Sequence, residues 1–245
     1  MGNYALRGEK QRIKKSKYNT YLMCCTYFTT NIVYKYGDPE ANIVLIQPVG
    51  DHDVHDIENE VSEIKKRTSL EFQMVAVKVD SWNQDLSPWR APAVFGNEDF
   101  GEGASALLAQ ILELCKDESK TYYLGGYSLA GLFALWASCQ TDRFAGIASA
   151  SPSVWFPGFL SYVKEYGIAS PVVYLSLGDR EERTKNQVMA AVGDCIRELY
   201  GWLQEQEIDS ILEWNQGNHF KEPGIRTAKA FAWVMERTKG TIRGR

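Results

Sequence analysis

Short apolar runs alternate with longer amphipathic segments along most of the chain. An apolar run such as residues 43–46 is too short for a helix and is typical of a buried strand. The longer segments place apolar side chains three or four residues apart, as Ile57, Val61 and Ile64 show, and this spacing predicts helices. The predicted strands cover residues 42–47, 73–79, 121–124, 144–150, 171–177 and 210–214, with one or two further strands within 21–36. The predicted helices cover residues 54–67, 104–115, 129–136, 184–204 and 223–237.

This order of elements predicts the fold class. Alternating strands and helices are typical of an α/β protein with a mostly parallel central sheet and helices on both faces. We find no internal repeat, low-complexity stretch or linker in the 245 residues, so a single domain over 1–245 is expected. Residues 1–20 contain a locally basic stretch at 7–17, which is interpreted as a mobile arm rather than an anion-binding tail.

Composition and charge limit the kinds of binding partner that the sequence leads us to expect. Hydrophobic residues make up 44% of the chain, enough for a sizeable core, and the net charge of −4 gives no reason to expect nucleic acid as a partner. No run of about twenty apolar residues occurs, so no membrane partner is expected. The five cysteines show no zinc-ligand spacing, which favours a reduced, cytoplasmic protein. The oligomeric state stays open.

One serine is surrounded by small residues between a predicted strand and a predicted helix. Residues 124–131 read Leu-Gly-Gly-Tyr-Ser-Leu-Ala-Gly. In this setting Gly-x-Ser-x-Gly marks a nucleophile elbow, a strained turn that exposes the serine Oγ. Ala130 stands where the motif has its last glycine. The alternative interpretation is a glycine-rich turn in which Ser128 only caps the helix.

A nucleophilic serine needs a base, usually a histidine oriented by a carboxylate. The chain has three histidines, and His219 is the one that follows Ser128, as the order serine, acid, histidine requires. It lies in a short loop after the last predicted strand. The alternative is an ordinary surface-loop histidine.

The acid is expected in the turn after the strand at 171–177. Three carboxylates compete there, Asp179, Glu181 and Glu182. We favour Glu181, with Asp179 second, while Glu182 is interpreted as a helix cap. Chain order supports the cluster rather than one member of it.

The oxyanion of an acyl-transfer intermediate needs two N–H donors. The first is expected from Leu129, the residue after the nucleophile. The second is expected from the loop after the strand at 42–47, where Pro48 has no N–H and leaves Val49 or Gly50. We favour Val49.

Residues 81–100 form an unusually long connection between a strand and a helix. Trp82, Trp89 and Phe95 could wall an aromatic pocket there, and Arg90 could meet a substrate carboxylate. The alternative is a packed surface loop. Trp155 could form another pocket wall, and is equally consistent with the core.

The alternative to a serine nucleophile is catalysis at a metal site. Residues 51–56 read Asp-His-Asp-Val-His-Asp, but this spacing matches no metal motif, and acidic residues are favoured at a helix start. We therefore expect no metal and no other cofactor, with this stretch serving as a helix cap and pocket rim.

The chain resembles the esterase branch of the α/β-hydrolases that contains S-formylglutathione hydrolase (esterase D) and enterochelin esterase-like enzymes. The resemblance covers roughly residues 42–237. It rests on the segments at 125–131, 144–155, 178–181, 186–187 and 217–220. It implies an α/β-hydrolase fold without a large cap, Ser128 as nucleophile, His219 as base, Glu181 as acid and no metal. The departures are Ala130 and the oxyanion loop.

Together these observations predict a serine esterase that hydrolyses a carboxylic ester of a small soluble substrate through an acyl-enzyme on Ser128. Two alternatives remain at this point: an acyltransferase that uses the same acyl-enzyme, and a non-catalytic binding protein built on a hydrolase fold.

Overall fold

The computed structural model describes residues 26–27, 32–94 and 96–242, so the basic arm predicted within 1–20 lies outside the described residues. Eight strands form one sheet in the order β1-β2-β4-β3-β5-β6-β7-β8. Strand β2 runs antiparallel to β1 and β4, and β3 to β8 are parallel to one another. In chain order the strands are β1 Thr26–Tyr27, β2 Ile32–Gly37, β3 Ile43–Val49, β4 Gln73–Lys78, β5 Thr121–Tyr127, β6 Phe144–Ala150, β7 Val172–Gly178 and β8 Asp209–Asn215.

Helices pack on both faces of this sheet. One face carries α1 and α8, and the other carries α3, α4 and α7. The helices of the described residues are α1 Ile57–Lys65, α2 Trp82–Asp85, α3 Ala104–Leu114, α4 Leu129–Ser138, α5 Phe159–Tyr166, α6 Gln187–Ala190, α7 Val192–Glu205 and α8 Pro223–Ile242, with a 3₁₀ turn at Glu181–Arg183.

The sheet separates two hydrophobic cores, and its pleat decides which core each strand side chain joins. Consecutive strand residues point to opposite faces, so Val44 and Ile46 of β3 join the core under α3 and α4, while Leu45 joins the core under α1 and α8. Both faces of β3 are therefore buried. This explains why the parallel strands appear in the sequence as continuous apolar runs rather than alternating ones.

The structure differs from the sequence-based prediction in three helical regions, one of which is the short α2 within the long connection at 81–100. The single helix predicted over 184–204 begins only at Gln187, because the Asn186 side chain accepts the N–H groups of Val188 and Met189 and caps the helix there, and it is divided at Ala191 into α6 and α7. Helix α5 was not predicted, although Gly158 and Gly167, both with positive φ, bracket it in the sequence.

The strand order places the elbow at a switch point of the sheet. From β3 the chain moves to β4 on one side, and β5 then pairs with β3 on the other side. Ligands of open α/β sheets bind beyond the carboxyl ends of the strands at such a point. Ser128 directly follows β5, and the loop that begins at Gly50 directly follows β3.

Candidate active site

Ser128 occupies a strained turn between β5 and α4. Its φ of 57° and ψ of −119° lie in a region that residues with a side chain rarely adopt. Small neighbours make this turn possible: a Cβ built on Gly126 would lie 2.6 Å from the Ala130 Cβ, and one built on Gly131 would lie 3.1 Å from the Gly126 carbonyl oxygen. Ala130 therefore fits the motif because Gly126 leaves room for its methyl group.

Gly126→Ala tests this packing. The added methyl group meets Ala130 in a fully buried site, so the free energy of unfolding is expected to fall by roughly 1–3 kcal/mol, the usual cost of overpacking. Urea unfolding measures it. The control is Gly201→Ala on the exposed side of α7, where an added Cβ meets nothing within 4 Å and alanine is the better helix former. Equal effects of the two substitutions would contradict the packing argument.

Three loops bring a serine, a histidine and a glutamate into one chain of hydrogen bonds. His219 Nε2 lies 3.0 Å from Ser128 Oγ, and His219 Nδ1 lies 2.6 Å from Glu181 Oε2. Ser128 follows β5, Glu181 follows β7 and His219 follows β8. The imidazole is thus positioned to take a proton from the serine while the carboxylate fixes its other nitrogen.

Glu181 is held as a carboxylate inside the protein. It is 7% exposed, and its Oε1 accepts hydrogen bonds from the Gly178 N–H at 2.7 Å and from the Ser151 hydroxyl at 2.8 Å. Burial opposes ionisation, but the bonds from His219, Gly178 and Ser151 outweigh it, and the pKa of Glu181 lies below its ordinary value. The group therefore carries its charge at neutral pH.

A buried arginine that sequence reasoning missed supports both the acid and the base. Arg226 of α8 is 2% exposed and donates from Nη1 to Glu181 Oε1 at 2.8 Å. Its Nη2 donates to the Asn218 carbonyl oxygen at 3.0 Å, beside His219. The Tyr127 hydroxyl, itself 3.1 Å from Arg226 Nη1, donates to the His219 carbonyl oxygen at 2.7 Å. No local sequence signal distinguishes this arginine from other helical ones.

The other two carboxylates of this turn point elsewhere. Asp179, the second choice for the acid, is exposed, and its Oδ1 accepts the Gly217 N–H at 2.8 Å rather than contacting His219. Glu182 pairs with Arg197 at 2.9 Å. The structure thus brings the favoured Glu181 to His219 and not the second choice, Asp179: Glu181 opens the 3₁₀ turn and is buried, whereas Asp179 precedes the turn and is exposed.

The structure places the two predicted oxyanion donors differently. Leu129 is the first residue of α4, where a helix leaves its N–H groups without an intrahelical partner. Val49 is completely buried and accepts the Val79 N–H at 2.9 Å. Since the N–H and C=O of a strand residue point to the same side, the Val49 N–H faces β4, away from Ser128. Val49 is therefore the wrong choice.

The next N–H along this strand belongs to Gly50 and points to the opposite side, towards β5. It donates to Asp53 Oδ2 at 3.0 Å. Asp53 and Ser128 line the same cavity. Gly50, which the sequence left as the second possibility, is thus the better placed donor.

A cavity of about 880 Å³ opens beside Ser128 and His219. Trp155 lines it, as predicted, together with Trp82. Trp89 does not line it, because its indole packs against Phe156 and its Nε1 donates to the Pro157 carbonyl oxygen. Arg90 does not line it either, because this exposed side chain pairs with Glu102 at 2.7 Å. Phe95 lies outside the described residues.

The acidic and histidine-rich stretch at 51–56 does not form a metal-ligand cluster in the structure. Asp51 pairs with Lys78 at 2.7 Å, and His52 Nε2 lies 3.2 Å from Asp53 Oδ1. Within the described ranges, no three His, Cys, Asp or Glu side chains are grouped to hold a metal ion. His52 and Asp53 line the cavity instead, as the predicted rim. None of the described helices has the length and apolar character needed to cross a membrane.

Helix α1 carries a buried carboxyl group that contacts β3. Glu60 of α1 is 5% exposed, and its Oε2 accepts a hydrogen bond from Gln47 Nε2 at 3.3 Å. Burial raises the pKa of Glu60 to about 8. The folded protein therefore keeps this group protonated at neutral pH, whereas the unfolded chain ionises it near 4.5.

Glu60→Gln tests this protonation. Between about pH 5 and pH 8 the unfolded wild type binds fewer protons than the folded form at this site, so wild-type stability falls as the pH rises. The variant lacks this titration. Its free energy of unfolding relative to wild type is therefore expected to increase from pH 5 to pH 8 in urea titrations. The exposed Glu58→Gln on the same helix is the control, and a pH-independent difference for Glu60→Gln would contradict the prediction.

No protein-family model matches the chain, and no curated protein matches it in sequence. Solved structures do match. The siderophore hydrolase EstA from Aspergillus nidulans aligns with a TM-score of 0.62 at 18% identity, over 98% of this chain and 100% of that chain. An IroE-like serine hydrolase from Shewanella oneidensis aligns with a TM-score of 0.70 at 13% identity, over 94% of this chain and 80% of that chain. The enterobactin esterase FES from Shigella flexneri aligns with a TM-score of 0.59 at 15% identity, over 94% of this chain and 59% of that chain.

The fold is that of the α/β-hydrolases. This agrees with the predicted fold class. The connections between parallel strands carry at most two helices each, with one additional 3₁₀ turn after β7, so the α/β-hydrolase fold has no large helical cap within the described residues. The structural neighbours are hydrolases or esterases by name, and at these identities the likeness establishes the fold.

Proposed function

We propose that the protein is a serine esterase that hydrolyses a carboxylic ester of a small soluble substrate through an acyl-enzyme on Ser128. The observation that carries this proposal is the hydrogen-bonded chain from Ser128 Oγ through His219 to Glu181, which begins at the wall of an open cavity. Serine, base and buried acid in this geometry activate a hydroxyl for attack on a carbonyl carbon. The names of the structural neighbours make ester hydrolysis the first activity to test.

The first half of the reaction forms the acyl-enzyme. Ser128 Oγ bonds to the ester carbonyl carbon while its proton passes to His219 Nε2. Glu181 stabilises the imidazolium that results. The Leu129 and Gly50 N–H groups receive the oxyanion, for which Asp53 has to release the Gly50 N–H. When the ester C–O bond breaks, His219 returns the proton to the leaving alcohol.

The second half releases the acyl group. A water molecule gives a proton to His219 Nε2 as its oxygen bonds to the acyl carbon. The bond from that carbon to Ser128 Oγ then breaks, and the proton returns to the serine. The products are a carboxylic acid and a regenerated enzyme. Product analysis in the presence of a competing alcohol distinguishes this hydrolysis from acyl transfer to the alcohol.

The experiment is reaction with a fluorophosphonate probe followed by intact-mass measurement. We expect one adduct on wild type and none on Ser128→Ala. The matched control is Ser153→Ala, because Ser153 Oγ lies 3.3 Å from Ser128 Oγ in the same cavity and a nonspecific probe would report either hydroxyl. We expect the Ser153→Ala protein to keep its adduct. A folded wild type without an adduct would refute the proposal and favour a binding protein on a hydrolase fold.

A further inference from the structure

The turn that supplies Glu181 also presents two arginines to the cavity. Arg180 and Arg183 flank the buried acid, are exposed, and line the same cavity as Ser128. The Arg183 N–H donates to the Arg180 carbonyl oxygen at 3.2 Å, which is the bond of a 3₁₀ turn. Side chains three residues apart lie over one another in such a turn, so both guanidinium groups extend from the same side.

The three carboxylates of this turn form no ion pair with the two arginines. Asp179 accepts the Gly217 N–H, Glu181 is bonded to His219, and Glu182 is paired with Arg197. Within residues 32–94 and 96–242 neither Arg180 nor Arg183 forms an ion pair. The turn thus contains three carboxylates, each engaged with another partner.

The rest of the cavity wall is mainly apolar and aromatic, with Trp82, Trp155, Met189 and Phe220 among its residues. Among the described residues, Asp53 is the one carboxylate on the wall besides Glu181, and it accepts the Gly50 N–H and lies beside His52. The cavity therefore combines an apolar surface with two arginines that form no ion pair within the described residues, in a chain whose net charge is −4. An apolar wall of this kind accepts a hydrocarbon or aromatic group.

We propose that the substrate of this esterase carries a negatively charged group, such as a carboxylate, in addition to its ester bond, and that Arg180 and Arg183 bind that group. The inference rests on the proposed function and specifies its substrate class. A guanidinium binds a carboxylate through two parallel hydrogen bonds, and charge-assisted bonds are the stronger ones. The sequence suggested Arg90 for this role, but Arg90 lies outside the cavity and is paired with Glu102.

The kinetic experiment compares two pairs of aryl esters that differ in one charge. In the first pair, mono-4-nitrophenyl terephthalate carries a carboxylate on its acyl part and its methyl ester is the neutral member. In the second pair, 4-acetoxybenzoate carries a carboxylate on its alcohol part and its methyl ester is the neutral member. We expect wild type to give a higher kcat/KM for the charged member of at least one pair, by about tenfold. This preference should fall at high ionic strength because salt screens exposed charges.

The variants Arg180→Gln and Arg183→Gln should each lower the ratio of kcat/KM for the charged ester to kcat/KM for its neutral partner, and the double variant should bring this ratio close to one. The matched control is Arg237→Gln, the same change at an exposed arginine on α8 that pairs with Asp209 outside the cavity. If wild type hydrolyses the neutral esters and shows no preference for charge, the inference fails while the proposed function stands.

A binding measurement keeps the inference testable without turnover. Calorimetry on Ser128→Ala compares biphenyl-4-carboxylate with its neutral carboxamide. Tighter binding of the carboxylate, lost with Arg180→Gln and Arg183→Gln, supports the anion site even if no ester is hydrolysed and no fluorophosphonate adduct forms, in which case only the proposed function fails. Equal binding of both probes would overturn the inference.

Discussion

Replacing Ser128 or His219 with alanine is expected to lower kcat/KM for any ester that the protein hydrolyses by about 10⁵-fold or more. Ser128→Ala removes the atom that attacks the carbonyl. His219→Ala leaves the hydroxyl in place but removes the base 3.0 Å from it, and an unassisted serine hydroxyl is a weak nucleophile. The two losses should not add, because serine and histidine act as one unit, so the double variant should be no slower than either single variant.

Steady-state kinetics on the best aryl ester measures these losses, with thermal unfolding to show that each variant folds. The control for His219→Ala is His55→Ala, because His55 is exposed and does not line the cavity. A His219→Ala protein that kept its rate within tenfold of wild type would exclude the proposed base. Additive losses in the double variant would mean that the two residues act in separate steps.

The features that local sequence chemistry encodes could be predicted. The elbow is such a feature, since Gly126, Ser128 and Ala130 lie within five residues and their sizes alone permit the turn. His219 could be chosen because chain order eliminated the other two histidines. The parallel sheet follows from continuous apolar runs, whose burial on both faces the structure shows.

Chain order alone does not settle choices that depend on the direction of a group. It leaves Asp179, Glu181 and Glu182 open, the family resemblance favours Glu181, and the structure shows that the 3₁₀ turn brings Glu181 to His219. Val49 and Gly50 differ by one residue, and the pleat of β3 decides which N–H faces β5. The direction of the backbone N–H reverses with each residue along a strand, so composition and spacing do not show which of two adjacent N–H groups faces a given neighbouring strand.

Contacts between distant parts of the chain were also beyond local reasoning. Arg226 meets Glu181 across 45 positions, and its place in α8 resembles that of any other helical arginine. The length of the loop after β4 favours Arg90 as the anion-binding arginine, since long ordered loops are often functional. That loop instead packs its Trp89 against Phe156, and Arg180 and Arg183 reach the cavity from the turn after β7.

Glu181→Gln is expected to lower kcat by about 10⁴-fold, whereas Asp179→Asn should change it only a few-fold. The glutamine amide can donate to His219 Nδ1, which would place the imidazole proton on Nε2. That tautomer cannot accept the proton of Ser128. The amide also leaves the buried Arg226 facing a neutral group, so the free energy of unfolding should fall, by up to roughly 3–5 kcal/mol.

Comparing Glu181→Gln with Asp179→Asn decides which of the two carboxylates orients His219, because each substitution removes one charge from the same turn. In Asp179→Asn an oxygen remains to accept the Gly217 N–H, so the loop before His219 keeps its support. Kinetics and thermal unfolding on both variants separate catalysis from folding: a stability loss alone would lower the fraction of active protein, whereas a tautomer change lowers kcat of the fully folded enzyme. Equal kinetic losses in the two variants would show that the charge of the turn, rather than the bond from Glu181 to His219, governs the base.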